Sequence, residues 1–162
     1  MPVSEVVAIF GKKKSMSTVS SLYHIVINTY NRCANLQLEL SDELYAYLGG
    51  IIRNARSTPI IINGTRNHIH ILMELHPSIA LSEMMRQLKQ SSSRWMTNDR
   101  RFSKFGGWGR EYFAFSCSQR ELPYVKVYIA AQREHHYEIS FEEEIRRIAE
   151  RNGQQWDDKK LT

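Results

Sequence analysis

The chain has 162 residues, of which 42% are hydrophobic, so it can bury one ordinary core and is neither disordered nor fibrous. Its 22 Lys and Arg residues outnumber 17 Asp and Glu residues, and the resulting net charge of +5 favours an anionic partner such as nucleic acid. Two isolated cysteines exclude a disulfide framework and a zinc finger, and the absence of a signal sequence or a membrane-length apolar run predicts a cytoplasmic protein without a membrane partner.

The first part of the chain, residues 1–21, shows little periodicity and is interpreted as a tail or an edge segment. Residues 22–30 alternate between apolar and other side chains and predict the first strand. Ser41, followed by two acidic residues, predicts the N-cap of a helix that ends near Arg53.

The remaining predicted elements alternate between strands and helices. A strand over 58–64 closes with an Asn63-Gly64 turn, and its hairpin partner covers 68–75. A helix over 81–96 and a strand over 110–118 follow. The last two elements are helices over 124–138 and 140–153, of which the first is entered through Pro123 and the second is capped by Ser140.

This order of elements is typical of an α+β, ferredoxin-like fold, in which helices cover one face of an antiparallel sheet and the other face is open. The last two helices then form a C-terminal helical extension. No linker divides the sequence, so we expect a single catalytic domain over residues 22–155 and a short tail over 156–162.

Two histidines lie two residues apart on the predicted strand over 68–75. Because successive side chains of a strand point to opposite faces, His68 and His70 share one face and the apolar Ile69 and Ile71 share the other. The apolar pair is expected to face the helices, which places both imidazoles on the open face. There they can bind one metal ion, although solvated or hydrogen-bonded histidines fit the pattern as well.

The predicted helix over 124–138 carries Tyr124, Tyr128 and Gln132 on one face. Gln132 offers a neutral oxygen, which suits magnesium or manganese better than zinc. Tyr128 lies about 6 Å from Gln132 along the helix axis and Tyr124 about 12 Å, so the spacing favours Tyr128 as a nucleophile. The competing interpretation is that Tyr128 is a core residue of a packed helix.

Together these residues resemble the single-tyrosine transposases of the HUH endonuclease superfamily, the TnpA type that moves small bacterial insertion sequences. The resemblance extends over nearly all of residues 22–150. It rests on HIH at 68–70, YIAAQ at 128–132, QREHHYEISFEEE at 132–144, YHIV at 23–26, RQLKQSSSRW at 86–95 and REYFAFSCS at 110–118.

The resemblance implies metal-dependent cleavage and rejoining of single-stranded DNA by transesterification. His68, His70 and Gln132 would bind Mg²⁺ or Mn²⁺, and Tyr128 would form a 5′-phosphotyrosine while a 3′-hydroxyl is freed. The resemblance also implies a bacterial, nucleoid-associated protein that binds hairpin-containing element ends. It would act as a homodimer, in which the tyrosine helix of one subunit can complete the histidine site of the other.

The basic residues are concentrated between residues 81 and 110, which hold seven Lys or Arg against two acidic residues. This concentration predicts a phosphate-facing surface, although a solvated helix face fits it nearly as well. The DNA-binding candidates are Arg86, Lys89, Ser93 and Arg94. Glu74 shares the histidine face and is a weaker candidate for an extra ligand or base, whereas His24 is assigned no ligand role.

Three alternatives differ in function. A domesticated relative that cuts chromosomal repeats, or a replication-initiating nickase, would use the same chemistry on other DNA. A ferredoxin-like RNA- or DNA-binding module would have no catalytic activity, and its aromatic residues would lie on the open sheet face, where this sequence predicts His68 and His70.

Overall fold

The computed structural model of the protein describes residues 18–135 and 139–161. The strands are β1 Leu22–Asn28, β2 Thr58–Gly64, β3 His68–Glu74 and β4 Phe113–Cys117. The α-helices of the described residues are α1 Ser41–Asn54, α2 Leu81–Asn98, α3 Leu122–Ala130, α4 Gln132–His135 and α5 Phe141–Arg151. Short 3-10 helices lie at Tyr30–Arg32, Leu38–Leu40, Arg100–Phe102 and Asp158–Leu161.

The four strands form one antiparallel sheet in the order β2-β3-β1-β4. Strand β3 lies between β1 and β2, and it pairs with β1 through Ile71 opposite Ile25 and His70 opposite Val26. The predicted α+β class and ferredoxin-like arrangement are confirmed by this topology. The two histidines consequently lie on an interior strand of the sheet.

The main hydrophobic core lies between one face of the sheet and helices α1 and α2. Ile25 and Ile71 from the sheet pack there with Leu48 of α1 and with Met84 and Leu88 of α2. Leu44, Leu48 and Ile52 recur every four residues and give α1 its buried stripe. Helix α2 packs here through Met84, Met85 and Leu88, and β1 through Ile25 and Ile27.

The opposite face of the sheet, expected to be open, is covered by the C-terminal helices. Leu72 of β3 packs against Val125 and Ile129 of α3. Val26 of β1 packs against Phe141 and Ile145 of α5. The expectation of an open face was wrong because α5, which is amphipathic, and α3, which is apolar along most of its length, both bury apolar side chains on this second face.

Two local predictions need correction. Ser41 is the first residue of α1 rather than its N-cap, because its hydroxyl donates to the Leu38 carbonyl oxygen at 2.7 Å and Leu40 takes the cap position. Asn63 and Gly64 are the last residues of β2, paired with β3, rather than the turn itself. A Cβ atom on Gly64 would lie 2.3 Å from the His68 carbonyl oxygen, so glycine is needed for the close approach of the two strands.

The predicted helix over 124–138 is interrupted at Ala131. The Asn63 side-chain amide donates to the carbonyl oxygens of Ile129 and Ala130, at 3.0 and 3.1 Å, and these are acceptors that a continuing helix would use. Helix α3 therefore ends there, and α4 begins at Gln132. The predicted Ser140 cap is confirmed, since its side chain accepts a hydrogen bond from the Glu143 backbone N–H.

Parts of the predicted tails and of the last helices lie outside the described residues. These parts are residues 1–17, residues 136–138 with His136 and Tyr137, and Thr162. Trp156, the first residue of the predicted C-terminal tail, lies beside Phe113 with ring centroids 6.4 Å apart. In the described part of the chain, no helix is long and apolar enough to cross a membrane.

Candidate functional site

The two predicted histidines lie side by side on β3 and are fully buried. Their ring centroids are 5.1 Å apart, because positions two apart on a strand share a face. His68 Nδ1 is hydrogen-bonded to Asn67 Oδ1 at 2.7 Å and lies 3.1 Å from Thr65 Oγ1. His70 Nδ1 is bonded to His24 Nε2 at 2.8 Å. With both Nδ1 atoms engaged, both Nε2 atoms are directed to the same place, as in histidines that bind metals.

Glu144 of α5 lies where the two imidazoles converge. His68 Nε2 is 3.1 Å from one carboxylate oxygen of Glu144, and His70 Nε2 is 3.2 Å from the other. One ligand atom from each of these three residues lies within 4.8 Å of the others, so the cluster can hold a metal ion. Ligand atoms bound about 2.1 Å from one ion and about 90° apart would be about 3 Å from each other, which is close to the observed separations.

Sequence reasoning missed Glu144, although a signal was present. Phe141, Ile145 and Ile148 form the apolar stripe of α5, and Glu144 falls inside that stripe. A carboxylate on the buried side of an amphipathic helix is uncommon unless it has a partner. Glu144 is only 4% exposed. Glu74, the acid weighed from the sequence, is not part of the converging cluster.

Gln132 is fully buried and reaches the same carboxylate. Its side-chain nitrogen donates to Glu144 Oε1 at 2.9 Å. Its side-chain oxygen has no hydrogen-bond partner among residues 18–135 and 139–161. A buried amide oxygen beside two imidazoles and a carboxylate is a further oxygen donor for a cation, so the residues present fit a divalent metal ion.

Tyr128 of α3 donates its hydroxyl hydrogen to Glu144 Oε1, the oxygen that also faces His70. Its ring centroid lies 5.9 Å from that of His70. Burial and the negative charge of Glu144 raise the pKa of the Tyr128 phenol, and bonding to Gln132 and the charge of Arg151 offset this only in part. The structure thus brings together the predicted tyrosine, both histidines and Gln132 within one chain.

Two other groups of the cluster have displaced pKa values. Burial alone would raise the pKa of Glu144, but hydrogen bonds from His68 and His70 outweigh it, so this pKa is lowered and the side chain is a carboxylate at neutral pH. Burial, followed by the charge of His70, lowers the pKa of His24 to about 3. His24 therefore acts as a neutral hydrogen-bond partner of His70.

Tyr124 lies one turn before Tyr128 and has a different environment. It is 55% exposed, and its hydroxyl accepts a hydrogen bond from Arg151 of α5. The Arg151 guanidinium also lies 5.3 Å from the centre of the Tyr124 ring. Tyr124 is therefore set apart from the histidine pair.

The predicted DNA-binding residues lie on α2, which packs against the sheet face opposite the histidines. Arg86 is paired with Glu83 and Gln90. Lys89 Nζ donates to the three consecutive carbonyl oxygens of residues 109–111, at 2.9, 3.2 and 2.7 Å. Lys89 therefore holds the loop over 109–111 in place. The structure does not bring the predicted DNA-binding residues of α2 close to Tyr128.

Ser93 and Arg94, the other two candidates, line a groove between α2 and the loop over 107–110. The groove also contains Trp108 and Arg110. It is a polar and basic surface on the side of the molecule away from the cluster around Glu144.

Comparison with known proteins gives both a family and a fold. The family described as "Transposase IS200 like" matches residues 17–132 of the chain. No curated protein sequence matches the chain significantly. Among solved structures, a candidate transposase from Deinococcus radiodurans R1 is similar, with a TM-score of 0.56 and 20% identity over 75% of this chain and 97% of that chain.

A REP-associated tyrosine transposase bound to a REP hairpin is also similar, with a TM-score of 0.55 and 12% identity over 74% of this chain and 71% of that chain. At these identities the two structures show a shared fold. The family match is the stronger finding because it spans β1 to β4, the histidine pair, Tyr128 and Gln132. Since this match covers well over half of the residues, the chain belongs to the IS200-like transposase family.

Proposed function

We propose that this protein is a metal-dependent DNA transposase that cuts and rejoins single-stranded DNA through Tyr128. The observation that supports the proposal is the meeting of the Tyr128 hydroxyl and both histidines at the one buried carboxylate of Glu144. A solvated pair of histidines or a tyrosine packed only as core would not require this convergence.

The metal-holding residues in this proposal are His68, His70 and Glu144, with Gln132 as a further oxygen donor or as the group that orients the carboxylate. A bound Mg²⁺ or Mn²⁺ would supply Lewis-acid polarisation of the phosphate. His24, Asn67 and Thr65 fix the outer nitrogens of the two imidazoles, which keeps both Nε2 atoms aimed at the centre of the site.

Tyr128 is the proposed nucleophile. The reaction exchanges one phosphate ester bond for another and so needs no ATP. A bond forms between the phenolic oxygen of Tyr128 and the DNA phosphorus, the bond from phosphorus to the 3′-oxygen breaks, and the proton that the phenol loses is balanced by one that the released 3′-oxygen takes up. The product is a 5′-phosphotyrosine and a free 3′-hydroxyl, and attack by a 3′-hydroxyl reverses the step. Glu144 accepts the hydroxyl hydrogen of Tyr128 and so orients the oxygen before DNA arrives.

We further propose hairpin-containing ends of a mobile element as the DNA. Helix α2 would supply an additional phosphate-binding surface, through Ser93 and Arg94 in its groove and Arg86 on the same helix outside the groove. A repeat-processing relative with the same chemistry is the second candidate, favoured by the similar fold of the REP-associated transposase. A homodimer in the bacterial cytoplasm, associated with the nucleoid, completes the proposal. Because Tyr128 contacts the cluster of its own chain, each subunit is expected to hold a working site.

The decisive experiment is a search for a covalent protein–DNA adduct. Labelled single strands from both flanks of the gene are incubated with protein and Mn²⁺, and an adduct that survives denaturation is expected. Tyr128→Phe removes only the hydroxyl and should reduce adduct formation at least about a thousandfold. Chelation of the metal should have a similar effect.

Tyr124→Phe is the matched control, since it removes the neighbouring hydroxyl on the same helix and leaves the proposed nucleophile; DNA should still become attached to Tyr128, whatever the rate. Peptide mapping should find the DNA on Tyr128. Attachment to Tyr124 or Tyr137, or an unchanged adduct in Tyr128→Phe, would show that the assignment of the nucleophile is wrong.

A further inference from the structure

A cavity of about 330 Å³ lies between α3 and α5 and leads to the proposed nucleophile. Tyr128 and Glu144 line one part of it. Tyr124, Arg147 and Arg151 line the rest. Its volume is at the lower end of the range for small-ligand sites, about 300–1,000 Å³, so it can accept a phosphate group with part of a nucleoside.

Arg151 differs from the other arginines of α5 in its partners. The guanidinium of Arg151 donates to the Tyr124 hydroxyl and lies over the Tyr124 ring. Within residues 18–135 and 139–161, no carboxylate forms an ion pair with it. Arg146 and Arg147, in contrast, are both paired with Glu143, at 2.6 and 2.8 Å. The charge of Arg151 is therefore available to an anionic ligand.

The helix geometry directs Arg151 toward the reacting group. Glu144 and Arg151 are seven residues apart, which is two turns, and therefore lie on the same face of α5 about 10 Å apart along the axis. Side chains of an α-helix lean toward its N-terminus, so the long side chain of Arg151 extends toward Glu144. Tyr124, one turn before Tyr128 on the facing helix, holds the guanidinium beside the cavity.

We propose that Arg151, positioned by Tyr124, binds the phosphodiester of single-stranded DNA that Tyr128 attacks. A guanidinium presents two parallel N–H groups to a phosphate, and a positive charge is needed there because Glu144 places a negative charge where the DNA phosphate must approach. The identity of the attacked phosphate rests on the proposed function, whereas phosphate binding by Arg151 can be measured without any reaction.

The binding test uses oligothymidine as the probe and the Tyr128→Phe protein, which does not react. Arg151→Gln should weaken binding about tenfold, and the slope of log affinity against log salt should fall in magnitude by about 0.7, the value for one lost phosphate contact with a single strand. Arg146→Gln is the matched control, because it removes a guanidinium of the same helix that is paired with Glu143 outside the cavity. Equal affinity and slope in the two variants would overturn the proposal.

A chemical footprint on the unmutated protein provides a second measurement that does not depend on the folding of a variant. Oligothymidine should protect Arg151 from modification by phenylglyoxal, read by mass spectrometry, while Arg146 remains reactive. Modification of Arg151 at the same rate with and without the oligonucleotide would contradict the proposal.

The role in the reaction is tested by single-turnover adduct formation at saturating DNA. Arg151→Gln should lower the rate constant about a hundredfold, as expected when one donor to a developing charge is removed. Arg151→Lys should recover part of the lost rate, because lysine keeps the positive charge but lacks the two parallel N–H groups of the guanidinium. An unchanged rate in Arg151→Gln would reject the inference and leave the proposed function intact. Protection of Arg151 in a protein that forms no adduct would reject the proposed function and leave the phosphate site intact.

Discussion

The Tyr128 hydroxyl lies in surroundings that oppose its ionisation. Burial and the adjacent Glu144 carboxylate both raise the pKa of the phenol, and Arg151 counteracts them only weakly. A phenol with a raised pKa is a poor nucleophile at neutral pH unless positive charge is brought close to it. The proposed nucleophile Tyr128 is therefore expected to become reactive only when a cation lies close to its hydroxyl.

His24 should make the metal-free protein sensitive to acid. Its pKa is lowered to about 3 by burial, whereas in the unfolded chain it is about 6.5. Between these values the unfolded chain binds a proton that the folded chain does not, so the free energy of unfolding falls as the pH decreases. Well below pH 6.5 and above pH 3, each decrease of one pH unit lowers the free energy of unfolding by about 1.4 kcal/mol.

The measurement is urea denaturation of the wild type and of His24→Gln at several pH values. Between pH 7 and pH 5, the wild type should lose about 2 kcal/mol more of its unfolding free energy than His24→Gln. Between pH 7 and pH 8 the two proteins should differ by a constant amount. Parallel curves across the acid range would show that His24 is not buried as a neutral group.

At the scale of elements, the β2–β3 hairpin positions both halves of the site. Thr65 and Gly64 both lie against His68, Thr65 at its side chain and Gly64 at its backbone. The Asn63 side chain donates to the last carbonyl oxygens of α3, the helix that carries Tyr128. The Asn63-Gly64 pair is thus used for tertiary contacts instead of a turn. A change in this hairpin should alter the histidine pair and the tyrosine helix together.

Two glycines provide a matched test of this hairpin. Gly64→Ala would place a Cβ atom 2.3 Å from the His68 carbonyl oxygen and should lower the free energy of unfolding by about 1–3 kcal/mol while weakening metal binding. Gly50→Ala, in α1, meets no atom within 4 Å and should raise the free energy of unfolding by about 0.5–1 kcal/mol. Urea denaturation and calorimetric Mn²⁺ titration measure both effects. Normal stability and metal affinity in Gly64→Ala would contradict the close approach.

At the scale of the whole molecule, the candidate site joins parts of the chain that are distant in sequence. The histidines come from the centre of the sheet, Gln132 from α4 and Glu144 from α5. A metal held by all of them would connect the sheet to the C-terminal helices. Metal binding and the stability of α5 should therefore be coupled.

Mn²⁺ at about 100 times its dissociation constant should raise the free energy of unfolding by about 2.7 kcal/mol and slow amide hydrogen exchange in α5. Glu144→Gln should weaken Mn²⁺ binding by about 10- to 100-fold or more, as expected for a group that holds the metal or its ligands. Glu143→Gln, which changes the adjacent carboxylate that pairs with Arg146 and Arg147, is the control and should bind Mn²⁺ normally. Slower exchange in β3 without any change in α5 would remove Glu144 from the ligand set.

The sequence alone determined what depends on short-range periodicity. Alternation along β3 placed His68 and His70 on the face away from the main core, because this pattern follows from local backbone geometry. Helical spacing predicted that Tyr128 and Gln132 lie close together. The structure brings both side chains to Glu144, although the helix is interrupted between them at Ala131. The strand and helix order led to the α+β, ferredoxin-like class, and the structure confirms it.

Only the tertiary structure decided how the second face of the sheet is used. Helices α3 and α5 cover that face, bury the histidines and bring Glu144 from α5 to residues of β3 more than 70 positions earlier in the chain. Sequence periodicity shows that a helix has an apolar side but not which surface that side will meet. Long-range packing alone places Glu144 beside Tyr128, His24 beside His70, and Arg151 in the wall of the cavity.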